Sequence, residues 1–387
     1  MNNTGKLDYQ KKIGRIRGGD TTAMAAAQER QRRLLKPEGS LGQLERIAVR
    51  FAGITGKQRN RIQKRGLVLF GADNGVYEEG VATAPQSFTR SLMLHYAGIA
   101  RCGINVICDA NQVELKLVDV GIKGDVLHPR IDNRKLMEGT RNFAKGIPAV
   151  PRETAERAIQ IGFDYAAWAE DAGFDILGNG EVGMGNTTTA AACIMAVLGL
   201  RDGSMVGTGA GLSPDRLRLK RRVILDALAV LKPDSDDGLD VLSKVGGLDI
   251  AAMTGLYLGA AYYRIPMVVD GLISIAAALL ASRMQPLVKE FLFASHRSTE
   301  PAYRLAAEAL GLRPILELDM RLGEGSGCPI AMGIIDTALA VMNTMCTFDE
   351  TAVMESAAGM DQRHDGGWSV AGAGRYNTNI PADERGR

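Results

Sequence analysis

The chain has 387 residues, of which 46% are hydrophobic and 23% are charged, a composition typical of a folded globular protein with one large domain or two. Its 46 Lys and Arg residues against 44 Asp and Glu residues leave a net charge of only +2. This balance excludes the broad positive field with which proteins hold nucleic acid or an anionic membrane. Glycine is in excess, at 46 residues, and this predicts tight turns and loops whose backbone approaches a ligand.

The start of the chain, its most apolar stretch and its cysteines argue against a secreted, a membrane-spanning or a metal-binding protein. Residues 1–19 contain no apolar core, so no signal peptide is predicted. The most apolar stretch, 265–281, is interrupted by Pro266, Asp270 and Gly271 and is too short to span a membrane. Five scattered cysteines form no CxxC pair, which predicts buried thiols in a cytoplasmic protein without a metal site.

The first 60 residues predict a small helical subdomain. Helical patterns at 21–35 and 41–54 are separated by a segment in which Pro37 and Gly39 break the helix. We expect part of 335–358 to complete this subdomain, with a helix at 335–345.

Residues 61–334 predict an α/β domain, because short β-branched runs alternate there with longer Ala- and Leu-rich runs. Strands are predicted at 67–70, 104–108, 115–120, 175–177, 266–269 and 290–294. Helices are predicted at 88–102, 152–172, 187–198, 215–231, 249–264 and 274–283. Apolar runs without alternation are typical of strands buried on both faces of a parallel sheet. The sequence therefore predicts a Rossmann-like fold with a parallel sheet. The remainder, 359–387, is rich in Gly, Asp and Arg and is predicted to be a flexible tail.

A glycine-rich segment, GNGEVGMGNTTT at 178–189, is predicted to be a loop that follows a strand and opens a helix. The free N–H groups of a helix N-terminus and the hydroxyls of Thr187 and Thr188 would suit a phosphate group. The segment is neither a Walker A loop nor a GxGxxG motif. A glycine turn capped by Asn186 or Thr187 would give the same pattern.

Two further glycine segments carry charged residues. The segment 206–213 leads into a helix that contains Lys220, whose ammonium group suits a phosphate. In RLGEGSG, Glu324 has a glycine on each side and Arg321 precedes it. A buried carboxylate there could act as a general base, and the arginine could bind a phosphate or carboxylate. A surface turn is the alternative for this segment.

Other polar residues follow the predicted strands. Asp73, Asp270 and His296 each lie near the end of one, where ligands bind in open parallel sheets. Both aspartates could instead cap helices, and a structural role is favoured for His296. Residues 83–85 and 88–94 could line an adjacent pocket.

Eight segments, taken in order, resemble the nicotinate-nucleotide–dimethylbenzimidazole phosphoribosyltransferase family, and the resemblance runs from about residue 36 to about residue 348. The segments are KPEGSLGQLERIA, GADNGVYEEGV, GNGEVGMGNTTTAAA, VGTGAGLSPDRLRLK, GGLDIAAMTGLYLGAA, RIPMVVDGLISIAAALLA, ASHRSTEP and MRLGEGSG. The resemblance implies transfer of phosphoribose from nicotinate mononucleotide to an aromatic lower-ligand base. The products would be an α-riboside phosphate and nicotinate, in the assembly of the cobamide nucleotide loop. It also implies a dimer that needs no metal and no other cofactor.

The resemblance implies roles for individual residues. Glu324 corresponds to the catalytic base and Glu181 to a second acid in the active site. The residues implied for the phosphate and nucleotide are Gly183, Gly185, Asn186, Thr187, Thr188, Lys220, Asp270, Gly271, Ser298 and Arg321. Those expected at the acceptor base are Asp73, Ala82, Pro85, Phe88, Ser91 and Leu322.

The sequence departs from the family pattern on the predicted acceptor side. Asn74 replaces the usual histidine of ADHGV, Ala82 replaces a serine, and Ser91 replaces a glutamine. These changes leave two alternatives open. The acceptor could be phenol or p-cresol, with the chain as one subunit of a heterodimer of related chains rather than a homodimer. The chain could also be a non-catalytic partner subunit.

Overall fold

A computed structural model describes residues 7–351. Its strands form one parallel sheet in the order β3-β2-β1-β4-β5-β6, which is a Rossmann-type order. The strands are β1 Arg65–Ala72, β2 Val113–Gly121, β3 Ile131–Asn133, β4 Ile176–Val182, β5 Met267–Val269 and β6 Leu292–Ala294. The predicted α/β class with a parallel Rossmann-like sheet is confirmed.

Helices cover both faces of this sheet, as parallel connections require. The α-helices of the described chain are α1 Asp8–Lys12, α2 Thr21–Arg33, α3 Gln43–Thr55, α4 Ser87–Leu94, α5 Gly103–Ala110, α6 Arg152–Asp171, α7 Asn186–Val197, α8 Pro214–Leu231, α9 Gly238–Val245, α10 Leu248–Tyr263, α11 Leu272–Met284, α12 Pro301–Leu310, α13 Gly327–Thr344 and α14 Phe348–Thr351.

The core centres on β4 and the helix α10. Every residue of β4 is buried, and α10 is buried from Leu248 to Ala261. Helix α6 crosses α10 at two glycines, because a Cβ atom at Gly162 would collide with the carbonyl oxygen of Ala252 and one at Gly255 with that of Ile159. Direct backbone contact brings the two helices closer together than side chains would allow.

Two predicted elements are wrong in type. The run 104–108 is not a strand but part of α5, where Ile104 and Cys108 are buried and Val106 is 49% exposed. A short apolar run does not distinguish strand from helix, since its periodicity is too short to measure. The predicted loop at 178–182 is instead the second part of β4. One edge of the sheet is the unpredicted strand β3.

Helix boundaries also differ from the prediction. The predicted helix 88–102 ends at Leu94 and continues as a π-helical turn, His95–Ile99, in which Gly98 has a φ of 126°. Helices α1, α9, α12 and α14 were not predicted. Cys102 is only partly buried and Cys346 is exposed, so the expectation of uniformly buried thiols is wrong at these two positions.

The N-terminal helices contact the C-terminal part of the described chain. Leu34 pairs with Thr347 in an antiparallel bridge, and the Arg30 guanidinium donates to the carbonyl oxygen of Met342 on α13 at 2.7 Å. The division into a 1–60 subdomain with part of 335–358 and a 61–334 domain stays a prediction. The predicted tail, 359–387, lies outside the described residues.

By length and composition, two helical stretches could cross a membrane, Ser87–Ala110 and Gly327–Thr344. The first is not one helix, because its backbone leaves helical geometry at Gly98. The second is α13, which buries Cys328 and Met332 among its core-facing residues. Length and hydropathy alone are therefore weak evidence of a membrane span for either stretch.

Candidate active site

A cavity of about 170 Å³ lies beyond the carboxyl ends of β4, β5 and β6, where ligands bind in sheets of this type. Nine of the predicted site residues line it: Glu181, Gly183, Asn186, Thr187, Gly271, Ser298, Arg321, Leu322 and Glu324. A larger cavity, of about 510 Å³, lies between α2 and α3. Residues of the strand-end loops do not line that larger cavity, so the smaller one is the candidate active site.

Glu324 lies on a constrained loop that lines this cavity. Gly323, Glu324 and Gly325 have φ values of 81°, 62° and 82°, a left-handed run that glycine adopts freely and glutamate does not. A residue other than glycine in this region costs about 1–2 kcal/mol. The surrounding structure therefore fixes where the Glu324 carboxyl group lies.

The Glu324 carboxyl group is largely buried and its pKa is raised. Burial raises its pKa above the ordinary value, and the nearby Asp270 carboxylate raises it further. The Tyr96 hydroxyl lies close enough to stabilise the Glu324 carboxylate and so partly opposes this shift in pKa. Oε2 of Glu324 and the Tyr96 hydroxyl are both buried, and within residues 7–351 neither forms a hydrogen bond of regular geometry. The carboxylate is thus poised to accept a proton from a ligand in the cavity.

Glu181, near the end of β4, supports both the Glu324 loop and the start of α7. Its Oε1 accepts the Glu324 backbone N–H at 3.3 Å, and its Oε2 accepts from the Asn186 side-chain amide. Burial raises the pKa of Glu181 well above its usual range, with Asp249 and Asp270 adding to the effect. A protonated Glu181 could donate a hydrogen bond to a ligand, since a neutral carboxyl group carries one O–H donor.

Two residues predicted to bind the phosphate, Thr187 and Lys220, contact each other at the first turn of α7. Lys220 of α8 is fully buried, and its Nζ donates to Thr187 Oγ1 at 3.1 Å and to the Gly207 carbonyl oxygen at 3.2 Å. Burial lowers the pKa of Lys220 to about 8. A basic group therefore lies directly behind the cavity wall.

Four residues of the predicted nucleotide set do not line the cavity. Lys220 lies behind its wall, Gly185 caps α7 with a φ of 92°, and Thr188 is fully buried. Asp270 accepts the backbone N–H groups of Gly325 at 3.2 Å and Gly327 at 2.8 Å. Asp270 therefore holds the loop that carries Glu324 and does not face the cavity.

Five of the six predicted acceptor residues also lie outside the cavity. Asp73 is buried and accepts from Thr89 Oγ1 at 2.7 Å and from the Lys123 backbone N–H at 2.9 Å. Phe88 is 43% exposed, and Ala82, Pro85 and Ser91 are absent from the lining. Leu92, next to Ser91, does line the cavity, because consecutive helical residues point about 100° apart.

Asn74, one of the departures from the family pattern, also lies away from the cavity. It is fully buried, and its Oδ1 accepts from Thr189 Oγ1 at 2.9 Å. The changes at Asn74, Ala82 and Ser91 therefore do not alter the described cavity wall.

Several lining residues were not predicted as site residues. They are Val182, Gly209, Ala210, Leu272, Ile273, His296, Glu300 and Gly323. Leu92 and Met184 also line the cavity, and both lie in segments that were expected at a pocket, 88–94 and the glycine-rich segment 178–189. His296 was considered but given a structural role, and its Nδ1 does lie 3.0 Å from Ser295 Oγ. Glu300 follows Ser298 by two residues in the segment ASHRSTEP, so that segment's resemblance was the available signal. No group of three or more metal-binding side chains occurs within residues 7–351.

A Rossmann-type sheet whose carboxyl edge carries a buried carboxyl group and a glycine-rich helix start fits a transferase of phosphorylated sugars. A family model described as a phosphoribosyltransferase matches residues 16–353, and the chain is an enzyme of that class.

Similar proteins of known name indicate which phosphoribosyltransferase family the chain belongs to. The nicotinate-nucleotide–dimethylbenzimidazole phosphoribosyltransferase of Clostridium perfringens strain 13 is 47% identical over 87% of this chain and 92% of its own length. The enzyme of that name from Clostridium tetani is 42% identical over 91% and 96%. The crystal structure of the enzyme from Thermus thermophilus matches with a TM-score of 0.82 at 39% identity, over 86% of this chain and 99% of that one. The chain belongs to the nicotinate-nucleotide–dimethylbenzimidazole phosphoribosyltransferase family.

Proposed function

We propose that this chain transfers phosphoribose from nicotinate mononucleotide to 5,6-dimethylbenzimidazole or a related base. The products are an α-riboside phosphate and nicotinate, and the reaction belongs to cobamide nucleotide-loop assembly. One observation carries the proposal: Glu324 presents a buried carboxyl oxygen without a partner in the described chain, at the cavity beyond the strand ends. The names of the relatives supply the substrates.

The reaction needs one proton acceptor. A nitrogen of the benzimidazole attacks C1′ of the ribose from the face opposite the nicotinate, and the bond between C1′ and the pyridinium nitrogen breaks. Nicotinate leaves with that electron pair, which neutralises its ring charge, so the leaving group needs no acid. The other benzimidazole nitrogen gives its proton to the Glu324 carboxylate. General-base assistance of this kind contributes roughly 10²–10⁴-fold to a rate.

We place the donor's phosphate at the start of α7. Thr187, in the first turn of α7, lines the cavity together with Ser298, and the exposed Arg321 lines it as well. The dipole of α7 favours an anion at its N-terminus, and the Arg321 guanidinium can bind phosphate oxygens through two parallel N–H donors. Glu324 and the start of α7 line the same cavity, so the ribose would lie between base and phosphate.

No observation favours the alternative acceptors, phenol and p-cresol, or a non-catalytic partner subunit. The acceptor-side changes that suggested them lie away from the cavity wall, and both predicted acids line it. We propose a cytoplasmic enzyme that acts as a homodimer.

The test is a discontinuous assay of the purified chain with nicotinate mononucleotide and, in separate reactions, 5,6-dimethylbenzimidazole, phenol and p-cresol. Mass spectrometry identifies the product. We expect an α-riboside phosphate with the benzimidazole. Turnover with the phenols alone would replace the proposed acceptor, and no turnover with any acceptor would indicate that a partner chain is needed.

A further inference from the structure

Glu300 contacts the glycine loop next to the proposed phosphate site. It precedes α12 and lines the cavity together with Gly209 and Ala210. Its Oε1 accepts the Gly209 backbone N–H at 2.8 Å. Its carboxyl group also lies against Gly207, where an added Cβ atom would collide with it. The Glu300 carboxylate is therefore already hydrogen-bonded to the Gly209 N–H, a backbone donor next to the place proposed for the phosphate.

The same loop covers Lys220. The lysine's two hydrogen-bond acceptors in the described chain are Thr187 Oγ1 and the Gly207 carbonyl oxygen, which are both uncharged. Because Lys220 is fully buried and does not line the cavity, a phosphate in the cavity cannot reach it while the loop keeps this position. In this structure, the loop therefore separates the Lys220 ammonium group from a phosphate in the cavity.

Glu300 and Lys220 influence each other across this loop. The Glu300 carboxylate opposes the lowering of the Lys220 pKa by burial, as a negative charge near an ammonium group does. A phosphate placed beside Lys220 would have the same effect, and it would be repelled by Glu300. The Glu300 carboxylate and a bound phosphate would therefore compete for the Gly209 N–H and for the charge of Lys220.

We propose that Glu300 is a positioning residue that the substrate displaces: in the free enzyme it holds Gly209 and keeps loop 207–211 over Lys220, and the donor's phosphate takes its place. Movement of the loop then exposes Lys220 of α8 and leaves the Gly209 amide free to donate to the phosphate. This inference rests on the proposed function in one respect, namely that the phosphate belongs to nicotinate mononucleotide. It makes Glu300 a selectivity residue as well, because a donor without the phosphate cannot compete with the carboxylate.

Calorimetric titration with inorganic phosphate tests the proposal without any turnover. Glu300→Gln keeps an acceptor for Gly209 but removes the charge, and Glu300→Ala removes both. A hydrogen bond from an amide to a charged acceptor is stronger than one to a neutral acceptor. We therefore expect both variants to bind phosphate more tightly than the natural enzyme, by about 5- to 10-fold for Glu300→Gln.

Glu308→Gln is the matched control, since Glu308 is an exposed residue of α12 that pairs with Arg304. It removes the same charge without touching loop 207–211 and is expected to bind phosphate as the natural enzyme does. Equal or weaker phosphate binding by Glu300→Gln would overturn the proposal, as would an equal gain in Glu308→Gln.

Chemical acylation followed by mass spectrometry gives a second readout. Without phosphate, Lys220 should react slowly in the natural enzyme and faster in Glu300→Ala, because the loop no longer covers it. Unchanged protection of Lys220 in a variant that melts at the temperature of the natural enzyme would overturn the proposal. If phosphate binding responds as expected but no acceptor is turned over, the proposed function fails and this inference stands. If turnover occurs without the expected change in phosphate binding, only this inference fails.

Discussion

The backbone N–H of Glu324 donates to Oε1 of Glu181 at 3.3 Å, which joins the two predicted acids of the site directly. The contact ties the loop before α13 to the end of β4. Gly180 makes the approach possible, because a Cβ atom there would collide with the Glu324 carbonyl oxygen. The proposed base is therefore held against a fully buried strand of the sheet.

The first prediction concerns Glu324 as general base. Glu324→Gln keeps the shape of the side chain but cannot accept the proton, so kcat should fall by roughly 10²–10⁴-fold with the fold retained. Steady-state kinetics and circular dichroism check both parts. Glu317→Gln is the control, since Glu317 is exposed and pairs with Arg297 at 2.6 Å. Substantial activity in Glu324→Gln would rule out the general-base role.

The second prediction is the pH dependence of kcat/KM. The base acts as carboxylate, so activity should be lost as the pH falls through the Glu324 pKa, which burial places above the ordinary 4.5. The Tyr96 hydroxyl lowers that pKa. Tyr96→Phe should therefore move the acidic limb to higher pH and leave the plateau in place.

Tyr303→Phe is the control for this shift, because the Tyr303 hydroxyl is also buried and has no partner among the described residues. It is expected to leave the acidic limb unchanged. An acidic limb that moves to lower pH in Tyr96→Phe, or that moves equally in both variants, would contradict the assignment.

The third prediction concerns Asp249, which is buried at the start of α10. Burial raises its pKa from 3.8 to about 7, so the folded state holds a proton that the unfolded state releases. Its contribution to the free energy of unfolding is full below about pH 4 and is lost as the pH rises through 7. Each unit of pKa difference is worth about 1.4 kcal/mol.

Asp249→Asn removes this titration, so the free energy of unfolding should fall less steeply between about pH 4 and about pH 8 than in the natural chain. Urea denaturation across this range measures both slopes. Parallel curves for the two proteins would show that Asp249 does not titrate with a raised pKa.

The fourth prediction concerns the crossing of α6 and α10. Gly255→Ala places a methyl group against the Ile159 carbonyl oxygen, so the helices must separate, and overpacking of this kind costs about 1–3 kcal/mol. Gly333→Ala on α13 is the matched control, because the nearest atom to an added Cβ is Asn111 Oδ1 at 3.7 Å. It should be neutral or stabilising. Equal melting temperatures for the two variants would contradict the packing argument.

The predictions that failed have physical causes. Residues 178–182 contain two glycines, which weaken a strand, and the local pattern therefore predicted a loop there. In the structure those glycines allow close packing: a Cβ atom at Gly178 would lie 2.6 Å from the Cβ of Cys328. These glycines are needed because segments distant in sequence pack against them, at Cys328 and Glu324. A local sequence pattern carries no information about such contacts.

The alternation of strands and helices, the parallel sheet and most of the segments that follow its strands could be predicted from the amino-acid sequence alone. It also made Glu324 a candidate, because an acid between two glycines is visible along the chain, and the resemblance of RLGEGSG to the family implied its role as base. The tertiary structure decided which neighbours share the cavity, as the pair Ser91 and Leu92 illustrates. It also decided the pKa of Glu324, which depends on burial and on Tyr96 and Asp270. These residues are far apart in sequence, and only folding brings their charges and hydroxyls within reach of one another.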